Sequence, residues 1–93
     1  MSIPSFLRYI TFEKRFSKHT LEAYQKDLEQ FSAYLLEYYE MDDLNKAKSF
    51  QIRSWLSQLM EKGVKPASIH RKLSSLKSYY KFLLKKGAVN LNP

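Results

Sequence analysis

Residues 66–87 read Pro66-Ala67-Ser68-Ile69-His70-Arg71-Lys72-Leu73-Ser74-Ser75-Leu76-Lys77-Ser78-Tyr79-Tyr80-Lys81-Phe82-Leu83-Leu84-Lys85-Lys86-Gly87, and they decide the fold. Ile69, Leu73, Leu76, Tyr80 and Leu83 recur at intervals of four and three, the spacing of one helix face. Pro66 suits a first turn, where its missing N–H costs nothing. Gly87 offers the left-handed conformation that ends helices. The stretch predicts a helix over Pro66–Lys86 with one apolar side. Working backwards, Ser49–Glu61 repeats the pattern, with Ser49 as cap, Ile52, Trp55 (or Leu56) and Leu59 inward, and Gly63 as stop. A longer helix is expected from Ser17, its cap, to Tyr39, carrying Leu21, Tyr24, Leu28, Phe31 and Leu35 on one face. A first helix, Pro4–Glu13, has Ser2 as cap and Ile3, Phe6, Leu7 and Ile10 as its stripe. No strand-like alternation persists, so the expected class is all-α with four helices.

The chain has 93 residues, enough for one small domain. Residues 1–87 hold the helical pattern, and 88–93, with Asn92-Pro93, look like the start of a linker. Apolar residues at 44% exclude a disordered tail. No apolar run approaches the roughly 20 residues that span a bilayer. No secretory leader opens the chain, so a cytoplasmic protein is expected. Zero cysteines exclude a disulfide scaffold, a zinc–thiolate site and a cysteine nucleophile together. His19 and His70 lack a third metal ligand at a persuasive spacing. There is no Gly-rich phosphate loop and no suggestive acid–base pair. No catalytic residue, cofactor, metal or small-molecule ligand is expected of this chain.

The net charge of +7 is unevenly spread. Residues 1–63 carry nine basic and nine acidic side chains, whereas 64–93 carry seven basic ones and no acid. On the last helix, the side opposite the apolar stripe collects His70, Arg71, Ser74, Lys77, Ser78, Lys81 and Lys85. Basic side chains neutralise phosphates or reach base edges, and short hydroxyls allow the helix to approach closely. The alternative is a merely solvated face, although such faces usually mix Glu among the Lys. The second helix starts with Ser17-Lys18-His19-Thr20, which surrounds a helix N-terminus with anion-seeking groups. Its alternative reading is an ordinary cap. Tyr24 and Tyr80 fall on core stripes, and Tyr34, Tyr38, Tyr39 and Tyr79 are expected at stripe edges. Phe82 falls on the polar side, fitting either a contact to another domain or protomer or packing against the chain's own termini.

One known pattern runs through these residues. Phe6-Leu7-x-Tyr9 and Glu13-Lys14-Arg15-Phe16-Ser17 lead into Thr20-Leu21-x-Ala23-Tyr24-x-x-Asp27-Leu28-x-x-Phe31. Ser68-Ile69-x-Arg71-Lys72-Leu73-Ser74-Ser75-Leu76-Lys77-x-Tyr79-Tyr80-Lys81-Phe82-Leu83, a glycine and Asn92-Pro93 follow. The whole resembles the N-terminal core-binding domain of tyrosine recombinases of the phage-integrase and Xer type. The resemblance implies a SAM-like orthogonal bundle of two crossed helix hairpins. It implies that the second and fourth helices face the major groove of double-stranded DNA, clamped between this domain and a catalytic domain after Pro93. Carried over by position, the DNA-binding set is Lys18, His19, Thr20, Ala23 and Lys26, with Arg71, Ser74, Lys77, Ser78 and Lys81; His70 joins it from the helix face. The resemblance further implies a parent that cuts through a phosphotyrosyl intermediate without metal or ATP, in a tetramer of protomers on two DNA sites. The short N-terminus favours the Xer-like type. The competing reading is a helical protein–protein interaction module whose basic face meets an acidic partner. A basic helix lying on an anionic membrane is disfavoured, because the core needs the apolar stripe.

Overall fold

The computed structural model describes residues 2–87, so the expected linker at 88–93 lies outside the described residues. In order come α1 (Ile3–Phe12), α2 (Lys18–Tyr39), a 3-10 turn (Leu44–Lys46), α3 (Ser49–Glu61) and α4 (Pro66–Lys85). No strand occurs among the described residues. The expected bounds of α2 and α3 hold, and those of α1 and α4 shift by one residue, the usual fraying of a terminal turn.

Local chemistry accounts for the ends. Ser17 Oγ accepts a hydrogen bond from the Thr20 amide at 3.2 Å and opens α2. Ser2 does the same for the Ser5 amide at 3.5 Å. At the far end of α2, Glu40 takes a left-handed φ of 52°, and the Met41 amide reaches back to the Leu35 carbonyl at 3.2 Å. That closing pattern normally uses glycine, and Gly63 supplies it after α3 with a φ of 83°. The cap of α3 differs from expectation: Lys48, not Ser49, is the N-cap. Its amide donates to Gln51 Oε1 at 2.8 Å, so a glutamine one turn inside the helix does the capping.

α2 has 22 residues, hence a length of about 33 Å, in a domain that measures 36 × 28 × 18 Å. It packs against α1, α3 and α4, and α4 in turn touches all three other helices. Phe6, Ile10, Leu28, Phe31, Leu35, Leu76, Tyr79, Tyr80 and Leu83 form the fully buried centre. α3 buries both Trp55 and Leu56 beside Ile52. Tyr34 and Tyr79 are core residues, not edge residues as expected. Phe82 is buried against Phe6 and Tyr9 of α1, which decides between its two readings in favour of packing within the chain. One cause explains these departures. A helix gripped from three sides buries a much wider arc than the stripe of a helix lying on one neighbour.

The buried tyrosines are anchored. Tyr79 Oη donates to Asn45 Oδ1 at 2.6 Å and Tyr80 Oη to the Leu44 carbonyl at 2.7 Å, tying α4 to the 3-10 turn. Burial, and then the negative charge of Asp43, pushes the Tyr79 hydroxyl up to about 12. Burial pushes Tyr80 higher still. No buried side-chain polar atom among the described residues lacks a hydrogen-bond partner.

Candidate nucleic-acid interface

The outer face of α4 carries His70, Arg71, Lys77, Lys81 and Lys85 exposed, with Ser74 and Ser78 half-buried between them. α4 contains no acid. Lys72, which is outside the expected face, is 7% exposed and faces inward.

Lys72 turns inward because Asp27 of α2 is there. Asp27 is fully buried, and both its oxygens are doubly engaged. Oδ1 accepts from Arg71 Nη2 at 2.8 Å and from Lys72 Nζ at 3.0 Å. Oδ2 accepts from Arg71 Nε at 3.0 Å and from Ser75 Oγ at 2.8 Å. Lys72 Nζ also donates to Gln30 Oε1 at 2.6 Å and stands 6.0 Å from the Trp55 ring centroid. Burial alone would raise the Asp27 carboxyl. The hydrogen bonds from Arg71, Ser75 and Lys72 outweigh it and hold the group below the usual carboxylate range. The same pairing raises Arg71 above its ordinary value. A buried carboxylate thus couples α2 to α4 directly beneath the basic face.

The turn that leads from α1 into α2 joins that face further along. Phe16, Lys14, Ser78, Lys81 and Lys85 line one cavity of about 470 Å³, together with Phe6, Tyr9, Ile10, Phe82 and Leu84. The approach to α2 and the middle of α4 therefore share a side of the domain. Lys18, His19 and Lys26 are exposed, whereas Thr20 and Ala23 are half-buried. The Thr20 hydroxyl is 2.9 Å from Ser17 Oγ, within the cap. Arg71 also serves the fold, through Asp27.

Sequence reasoning missed two basic residues that the fold adds. Lys14, from the turn after α1, stands on the cavity rim. Arg53 of α3 shares a smaller cavity, about 160 Å³, with Lys77. Lys85 stands over the Tyr9 ring at 5.3 Å, as do Lys14 at 5.9 Å and Lys86 at 5.7 Å. Lys14 and Arg53 come from other elements, so the periodicity of α4 gave no sign of them. Among the described residues there is no group of His, Cys, Asp and Glu able to hold a metal. Among the described residues, no helix is long and apolar enough to cross a membrane.

The sequence profile of the family described as "Phage integrase, N-terminal SAM-like domain" matches residues 3–87. The chain is 38% identical over 89 residues to tyrosine recombinase XerC of Staphylococcus saprophyticus, covering 96% of this chain and 29% of that protein. It is 42% identical over 92 residues to tyrosine recombinase XerC of Staphylococcus carnosus, with the same coverage. It is 37% identical over 91 residues to tyrosine recombinase XerD of Rickettsia bellii, covering 98% of this chain and 29% of that protein. The chain thus spans about three tenths of the length of these relatives. No solved structure matches significantly.

Proposed function

The chain belongs to the family of phage-integrase N-terminal SAM-like domains, of the Xer tyrosine-recombinase type, and from that premise we propose that it is the DNA-binding arm of a site-specific tyrosine recombinase. The arm lays α4 and the start of α2 against double-stranded DNA. A catalytic domain elsewhere in the parent protein closes the clamp and supplies the nucleophilic tyrosine. Four such protomers act together on two DNA sites. The contacts assigned to this arm are Lys18, His19, Thr20, Ala23 and Lys26 on α2, with His70, Arg71, Ser74, Lys77, Ser78 and Lys81 on α4.

The observation that carries this reading is the outer face of α4, where exposed cations alternate with half-buried serines and no acid intervenes. Such a face fits a groove between two phosphate rows: long side chains reach the rails and short ones admit the helix. The test is titration of a labelled duplex with the chain across a range of salt. Each phosphate contact contributes about −0.9 to the log–log slope. Lys77→Ala and Lys81→Ala are expected to lower the slope by about one each, and Lys86→Ala, over the Tyr9 ring, by less. Equal effects from all three, or salt-independent binding, would refute groove docking. An acidic peptide that competes as well as duplex DNA would favour a protein partner instead.

A further inference from the structure

Arginine has five N–H donors in a planar fork. Asp27 takes one edge of the Arg71 fork, Nε–H and one Nη2–H, in a side-on bidentate pair. The remaining donors are both hydrogens of Nη1 and the second of Nη2. Two of them, one from each terminal nitrogen, form the end-on edge of the same plane. The Arg71 side chain is 43% exposed, while Asp27 is wholly enclosed. One edge of the guanidinium is therefore fixed from inside the protein and the other is left to solvent, on the basic face.

Resting on the reading above, we propose that Asp27 is a positioning residue for DNA recognition: it holds Arg71 so that its end-on edge meets two adjacent DNA acceptors. Two phosphate oxygens or O6 and N7 of guanine both fit that edge. A free arginine would lose rotamer entropy on forming such a contact, and Asp27 has already fixed it. Lys72 and Ser75 support the arrangement, since their bonds to Asp27 orient the carboxylate. Lys72 also leaves the cluster with one uncancelled positive charge, so the pair with Asp27 does not neutralise the surface.

Bulk electrostatics and positioning make opposite forecasts. Asp27→Asn removes an acid and takes the net charge from +7 to +8, so charge alone predicts tighter binding. Positioning predicts that duplex affinity falls, on the order of tenfold, the discrimination of a modest bidentate contact. Arg71→Ala should lose a similar factor, and the double variant little more, because Asp27 acts through Arg71. Arg71→Lys keeps the charge and an ion pair to Asp27 but has no second edge, so it too should lose affinity. This last variant decides the matter even if Asp27→Asn fails to fold, with helicity checked by circular dichroism. A duplex of A·T pairs only, compared with a G-containing one, separates phosphate from guanine as the acceptor. If the unmodified chain binds no duplex, the DNA-binding reading itself falls. If it binds and Arg71→Lys, or a folded Asp27→Asn, binds as tightly or more tightly, only the positioning role is overturned.

Discussion

Replacing Phe82 by Ala probes the packing of α1 on α4. The ring is 4% exposed, its centroid 5.5 Å from that of Phe6 and 4.9 Å from that of Tyr9. Truncating a buried Phe to Ala costs about 3–5 kcal/mol. The lower end applies here, because Phe82 lines the open 470 Å³ cavity and water can occupy part of the vacated space. A 93-residue domain has a total stability of about 5–14 kcal/mol, so the variant folds with little reserve. The unfolding entropy of such a chain is about 0.2 kcal/mol/K, which converts 3 kcal/mol into a fall in Tm of about 15 °C. Helical circular dichroism followed through a thermal ramp reads this directly. The matched control is Leu84→Ala, two residues on and 41% exposed, for which a change within about 0.5 kcal/mol is expected. If the two variants lower Tm by the same few degrees, Phe82 is not a core residue and α1 does not dock where the structure places it.

Acid should find Asp27. Its carboxyl is held below the usual range in the folded chain, so its stabilising contribution is complete above the ordinary value of about 3.9 and is lost as pH falls through the lower folded one. Urea midpoints should therefore drop more steeply on acidification for the unmodified chain than for Asp27→Asn; parallel profiles would refute the buried pair. Alkali should find Tyr79, whose hydroxyl is pushed up to about 12 by burial and then by Asp43. Its contribution is complete below about 10, the ordinary tyrosine value, and is lost as pH rises towards the folded one. Phenolate absorbance should show a late phase that Tyr79→Phe diminishes, and a single phase near the ordinary value would contradict the burial. Ser17→Ala should cost about 1 kcal/mol through loss of the α2 cap, seen as a drop in the urea midpoint; no change would mean that the bond to Thr20 adds nothing.

The helices were legible because each carries its own periodicity, a signal local to about twenty residues. Stop signals were equally local, as at Gly63 and Gly87, both with positive φ. What escaped reading depends on neighbours distant in sequence. Tyr24, Asp27, Phe31 and Tyr34 share a spacing of three and four, so Asp27 is an acid set in an apolar row. Only the arrival of Arg71, Lys72 and Ser75, 44 to 48 residues later, explains it. Arg71 read as a surface cation for the same reason, and Phe82 fell on a flank that only contact with α1 buries. The left-handed Glu40 escaped because a glycine was the expected signal there and the chain uses none. The basic face itself was readable, since a helix without acids shows its charge in one dimension. Its neighbours Lys14 and Arg53 were not, because they come from other elements.

The grip of α4 by three helices also fixes an order of events in time. During synthesis the chain emerges from its N-terminus, so α1, α2 and α3 are complete before α4 exists. Until then Phe6, Leu28 and Phe31 have no α4 to pack on, and Asp27 has no cation from it. The partners most distant in sequence, Tyr79 and Phe82 against Phe6 of α1, close loops of more than 70 residues, which is the slow kind of contact to form. A nascent chain halted after Gly63 should therefore stay protease-sensitive and attract a chaperone, whereas one released past Gly87 should close in a single cooperative step. The helix that carries the basic face is also the one that locks the domain shut.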